Sequence, residues 1–218
     1  MKKLLKILIS LVFVLAVIFV FLQWRGYNKQ KVAFDEGIKY FNEQDYEKSN
    51  KIFEEALSYN SLFGKQLRKK ILCYEADGYY GLEEYDKALE LYTELLDSDS
   101  ENNSLYLMKG ECYQKAGETE KAMDVYLQGW KATKDLKFLN KLATMCIDKN
   151  DLEAALSYVN VGLKEGGDDT KDFLFDKIVI YEKQLDYAKA YEAAQEFCEK
   201  YPDDEKGLKE KTFLSTRV

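Results

Sequence analysis

The chain of 218 residues contains no histidine, a single proline (Pro202) and no two cysteines close in sequence. Without histidine it lacks the commonest general base and the commonest zinc ligand. One proline argues against a loop-rich or disordered chain and suits long, lightly interrupted helices. The four cysteines, Cys73, Cys112, Cys146 and Cys198, form no C-x-x-C pair and fit neither a zinc knuckle nor a redox motif. Each falls within a predicted helix, where cysteine acts as a small apolar filler, although the sequence leaves a disulfide open. Gly-rich phosphate loops and a G-x-S-x-G nucleophile turn are also missing.

Acidic residues are absent from the first 31 positions, which hold Lys2, Lys3, Lys6, Arg25, Lys29 and Lys31. Six of the 32 basic residues thus lie there, leaving 26 against 39 acidic ones, a net charge of −13 for the remainder. A domain this acidic is a poor match to nucleic acid, whose phosphates need clustered Lys and Arg. The same charge keeps a repeat domain soluble.

What is present begins with an apolar run, LLKILISLVFVLAVIFVFLQW, from Leu4 to Trp24. As a helix it would span roughly 30 Å, the thickness of a bilayer's hydrocarbon core. Trp24 and Tyr27 fall where an interfacial aromatic belt would lie, and Lys6 can snorkel to the headgroups. A cleaved signal peptide would need a shorter apolar core and small residues at a cleavage site, but this run ends in Phe21, Leu22, Gln23, Trp24 and Arg25. The expectation is an uncleaved anchor over 4–24, a tail over 1–3 and a juxtamembrane linker over 25–29. Three lysines and the terminal amine keep the tail cytoplasmic and place the large domain outside the cell membrane.

Beyond the anchor the sequence repeats itself. A small residue, an aromatic, a second aromatic and then an alanine recur in fixed order, as in Ala76, Tyr79, Tyr85 and Ala88, with Tyr92 and Leu95 following. The positions Ser49, Ala88, Ala122, Ala155 and Ala190 mark five copies, 39, 34, 33 and 35 residues apart. Small residues let two helices approach, and large ones fill the space between hairpins. A period near 34 with two helices per copy resembles the tetratricopeptide repeat over residues 30–204. The copies are placed at about 30–63, 69–102, 103–135, 136–169 and 171–204. The spacing after the first copy predicts an extended second helix or a short loop around Gly64–Arg68, and residues 205–218 are expected to form a capping helix. The predicted fold is all-α: a transmembrane helix, then a right-handed α-solenoid of about five helical hairpins.

The resemblance implies that the first helix of each hairpin lines a concave groove. Carried onto this sequence, the groove positions are Phe34, Ile38 and Phe41; Cys73, Asp77 and Tyr80; Leu107, Glu111 and Gln114; Asn140, Thr144 and Ile147; and Phe175, Val179 and Glu182. Aromatic near the membrane, with carboxylates at Asp77 and Glu111, such a groove suits a peptide with apolar anchors and a basic residue. Equally, Phe34, Ile38 and Phe41 could pack on the anchor's exit segment or on another copy of the chain. The family's clamp for a terminal carboxylate is not matched: Phe34, Ile38, Tyr74, Ser104 and Met108 occupy its positions.

The acidic pairs Asp168–Asp169 and Asp203–Asp204 lie in predicted turns and are read as solvated turn or helix N-terminal charges. No catalytic residue, metal or cofactor is expected. The functional expectation is a membrane-tethered adaptor for a protein or peptide partner; the resemblance extends to bacterial inner-membrane proteins with one N-terminal anchor and a repeat domain outside, and implies a part in secretion or envelope assembly. The alternatives are a self-assembling scaffold and, remotely, an enzyme.

Overall fold

The computed structural model describes residues 2–59, 61–167 and 170–218. The expected pair Asp168–Asp169 lies outside them. The chain divides into two compact units, one ending at Asp99 and one beginning at Ser100. Both are built from helices alone among the described residues.

The first unit opens with α1 (Lys2–Asn42), whose large apolar side chains from Ile7 to Trp24 stand exposed. The stretch 25–29, set apart in the sequence as a linker, is helical, so that α1 runs unbroken from the apolar run into the first hairpin. No proline interrupts it, and the glycine within this stretch (Gly26) costs too little to stop a helix packed along one side. Then follow α2 (Tyr46–Ser58), a 3₁₀ turn (Leu62–Gly64), α3 (Lys65–Gly81) and α4 (Tyr85–Ser98). The longer first spacing is taken up by the turn and by a 17-residue α3, a first helix rather than a second.

The second unit contains α5 (Asn103–Lys115) with α6 (Thr119–Thr133), α7 (Lys137–Asp148) with α8 (Leu152–Glu165), and α9 (Lys171–Lys183) with α10 (Tyr187–Lys200). Helix α11 (Glu205–Leu214) follows, with Leu214 fully buried on the α10 core.

All five hairpins turn in the same way. The amide following each left-handed residue reaches five positions back: Asp45 to Tyr40, Glu84 to Tyr79, Glu118 to Tyr113, Asp151 to Cys146 and Asp186 to Tyr181, at 2.8–3.0 Å. This is the Schellman closure that satisfies the last carbonyls of a helix. The left-handed residues are Gln44, Glu83, Gly117, Asn150 and Leu185. Asp45, Asp151 and Asp186 then cap the following helix by accepting from the amide three residues on.

The marker residues Ala88, Ala122, Ala155 and Ala190 are all fully buried. Ser49 is buried too, and its hydroxyl donates to the Gly37 carbonyl at 3.0 Å, which makes a serine tolerable at an alanine's place. The four cysteines form no disulfide with one another, and Cys112, Cys146 and Cys198 are packed in the core.

Candidate functional site

In the first unit, Phe34, Ile38 and Phe41 lie half-buried along α1 and pack on the cluster of Ala33, Phe53, Ala56 and Ile71. Both phenylalanines meet Tyr74 of α3, with ring centroids 5.7 and 5.1 Å away. The aromatic stripe therefore holds the first hairpin to the next helix, which accounts for its apolar character without a ligand. Cys73, Asp77 and Tyr80 follow on α3 and are half-buried. Asp77 accepts a hydrogen bond from the Tyr92 hydroxyl at 2.6 Å, and Tyr80 stacks edge-on against Tyr85.

In the second unit, Leu107, Glu111 and Gln114 lie along α5. Glu111 pairs with Lys141 at 3.2 Å, and Gln114 accepts from the Tyr126 hydroxyl at 2.7 Å. Both carboxylates expected midway along the groove, Asp77 and Glu111, thus have partners within their own unit. Ile147 is buried in the α7–α9 core, and Val179, half-buried, packs against the same cluster.

Asn140, Thr144 and Phe175 are brought together. They line one cavity of about 400 Å³ with Asp172, Asp176, Lys171, Phe197, Asp204 and Lys206. Helical spacing explains the set: Asn140 and Thr144 are one turn apart on α7, while Asp172, Phe175 and Asp176 share a face of α9. Helix α11 closes one side, where Lys206 lies 5.4 Å from the Phe175 ring centroid. Phe175 in turn packs edge-on against Phe197.

The charges are not evenly matched. Lys171 is held by Asp204 at 2.7 Å, and this contact, with the Gly207 amide, holds the Asp204 carboxyl below its usual range. Asp172 and Asp176 form no ion pair among the described residues. Burial, then the neighbouring Asp172 charge, raises Asp176 to about 6. The Asn140 amide donates weakly to Asp172 at 3.5 Å, while its buried Oδ1 has no hydrogen-bond partner. A buried acceptor left unpaired and two carboxylates outside any ion pair, set against the one remaining lysine, Lys206, leave the lining net negative around an aromatic floor, a place for a donor-bearing, cationic group. The carboxylates expected on this face, Asp77 and Glu111, belong to the second and third copies, whereas this pair stands in the fifth. Asp172 and Asp176 flank Phe175 in sequence, whereas Lys206 joins the site only through the packing of α11.

Two models described as tetratricopeptide repeat match the chain, over residues 79–137 and 172–204. No curated protein sequence matches it. Among solved structures, a tetratricopeptide repeat protein from Parabacteroides merdae is similar at a TM-score of 0.65 and 14% identity, covering 86% of this chain and 72% of that one. The MamA protein is similar at a TM-score of 0.60 and 13% identity, covering 79% and 91%. YrrB, described as a tetratricopeptide protein with an unusual peptide-binding site, reaches a TM-score of 0.57 and 16% identity, covering 83% and 90%. At such identities the likeness is one of fold: helical hairpins stacked as in a tetratricopeptide solenoid.

Proposed function

Because the chain is a tetratricopeptide-repeat protein, we propose that it is a membrane-tethered adaptor that holds a protein or peptide partner against the first-helix face of its second unit. The single observation that carries this reading is the cavity around Asn140, Thr144 and Phe175, with the unpaired carboxylates of Asp172 and Asp176 at its wall. An extended segment bearing a Lys or Arg beside an apolar residue matches it: the cation meets the carboxylates and the apolar group meets Phe175. That YrrB is described by a peptide-binding site supports a peptide mode of binding on this fold.

Tethering is supported by α1, which is long and apolar enough to cross a membrane. Lys2, Lys3 and Lys6 at its start favour a cytoplasmic N-terminus and an exported repeat domain. Confinement at the bilayer raises the effective concentration of the adaptor toward partners in the same envelope. Within this reading the adaptor assists secretion or envelope assembly, as the resemblance to bacterial inner-membrane proteins with one N-terminal anchor and an exported repeat domain implies.

The test is photo-crosslinking in cells from a reactive residue placed at Thr144, compared with one at the exposed Ser157 of α8. A defined partner captured from 144 alone, and lost when Asp172 and Asp176 are changed to Asn, is the expected result. Identical products from both positions would sink the site. Recovery of only the chain itself would favour a self-assembling scaffold.

A further inference from the structure

The loop that joins the first hairpin to the second is fastened to the end of the apolar run. The Ser61 hydroxyl donates to the Gln23 carbonyl at 2.8 Å, and the Leu62 amide donates to the Gln23 side-chain oxygen at 2.7 Å. Further along α1, Gly64 presses onto the Gln30 side chain, itself 2% exposed, and leaves no room there for a Cβ. Gln23 and Gln30 are seven residues apart, roughly 10 Å along a helix. The loop is thus laid lengthwise on α1 over the stretch that follows the apolar run.

Its two large side chains point away from the protein. Leu62 is 72% exposed and Phe63 54%, and Trp24, the residue after Gln23, is itself 55% exposed. An exposed Leu–Phe pair on a tight turn is poorly suited to water, and none of the described residues of the first unit covers it.

The local charge is reversed relative to the rest of the domain. Residues 61–70 carry four basic and no acidic residues, and Arg25 and Lys29 stand exposed on the adjoining turns of α1. Lys65, Arg68 and Lys70 are exposed at the start of α3. This basic patch sits on an otherwise acidic domain, at its end nearest the apolar helix.

We propose that the Leu62–Phe63 turn is a second membrane contact, inserting into the interface of an anionic bilayer beside the point where α1 emerges. The proposal rests on the reading of α1 as a spanning anchor. Given that, the level of the turn is fixed. The apolar run ends at Trp24, roughly 30 Å from its start, and the headgroup layers add several ångströms on each side. Leu62, bonded to Gln23, therefore lies at the boundary of the hydrocarbon, and Lys65 and Arg25 lie among the headgroups. Apolar tips within a basic ring are the pattern by which surface elements enter an anionic interface. A single spanning helix leaves the domain free to swivel and tilt. A second contact fastened to it would set which face of the first unit looks toward the membrane.

The test uses the full-length chain reconstituted in vesicles of phosphatidylcholine and phosphatidylglycerol, with some acyl chains brominated near the carbonyl. One variant has Trp130→Phe and keeps Trp24 as the sole tryptophan. A second adds Trp24→Phe and Phe63→Trp, and a third replaces Leu62→Trp instead, in case either reporter disturbs the fold. The expected result is loss of emission at positions 62 and 63 comparable with that at Trp24, and less loss at both when phosphatidylglycerol is omitted. Quenching of Trp24 with none at 62 or 63 would overturn the second contact while leaving the anchor. No quenching at any of the three would overturn the anchor as well. Equal quenching with and without phosphatidylglycerol would overturn the part assigned to the basic patch.

Discussion

The hydroxyl of Tyr92 donates a hydrogen bond to the carboxylate of Asp77 at 2.6 Å, tying the second helix of one hairpin to the face of its first. Tyr92 is 1% exposed, so the bond is made from inside the core. Burial raises the Asp77 pKa and the Tyr92 bond opposes that rise. In Tyr92→Phe the carboxylate loses its donor without gaining water in return. The expected cost at neutral pH is about 1–3 kcal/mol, read as a lower urea midpoint by circular dichroism. The cost should shrink in acid, where Asp77 is protonated. An equal loss at both pH values would mean that the hydroxyl acts through packing alone.

Glu75 gives a pH dependence of known sign. It is 5% exposed, its Oε2 has no hydrogen-bond partner, and burial together with Glu54 raises its pKa to about 7, well above the usual carboxylate value. Between the unfolded pKa and 7 the folded chain binds more protons than the unfolded one, so this group's contribution to stability falls as pH rises through that window. Above pH 7 the full penalty applies, on the order of 3 kcal/mol at most. Glu75→Gln is therefore expected to raise the thermal midpoint at about pH 8 and to change it little near pH 5. Circular dichroism melts at the two pH values check this, and no difference between them would refute the buried-charge account.

The hairpins were legible in the sequence because their period rests on sterics: Ala88, Ala122, Ala155 and Ala190 recur where two helices touch, and each is fully buried. The face of the first helices was legible only in part. Position along a helix says which side a residue occupies, and so it brought Asn140, Thr144 and Phe175 together. It does not say whether a polar group on that side is already partnered from another element. Asp77 is met by Tyr92 and Glu111 by Lys141, 15 and 30 residues away in sequence. Nor did periodicity foresee the unbroken α1 or the fastening of Leu62 to Gln23, which joins residues 39 apart through a loop outside the repeat.

The turns offer a stabilising change. Leu185 sits at φ +61°, in the left-handed region, and its side chain is 70% exposed. A branched residue there is strained and gains little burial in return. The equivalent position of the third hairpin is Gly117, with no atom near where its Cβ would stand. Leu185→Gly should stabilise the second unit by about 0.5–1 kcal/mol, the relief of strain exceeding glycine's entropic cost. A rise in thermal midpoint checks it, with Leu185→Ala as a comparison that should gain nothing.

The close approach of α5 and α6 gives the opposite case. A Cβ added at Gly110 would fall within the ring of Tyr126, and Tyr126 cannot easily withdraw, since it is fully buried and its hydroxyl is held by Gln114. On helix propensity alone Gly110→Ala should stabilise by about 1 kcal/mol. The clash is expected to outweigh that gain and leave a net loss of about 1–3 kcal/mol. Tyr126→Leu alone should also destabilise, by opening a cavity and removing the Gln114 bond. Combined, however, the two changes should cost less than their sum, because the alanine methyl enters space the ring has vacated. Urea unfolding of the four proteins in this cycle measures the coupling directly. Strict additivity would mean that the helices simply move apart, and that the small residue at this repeat position does not set their distance.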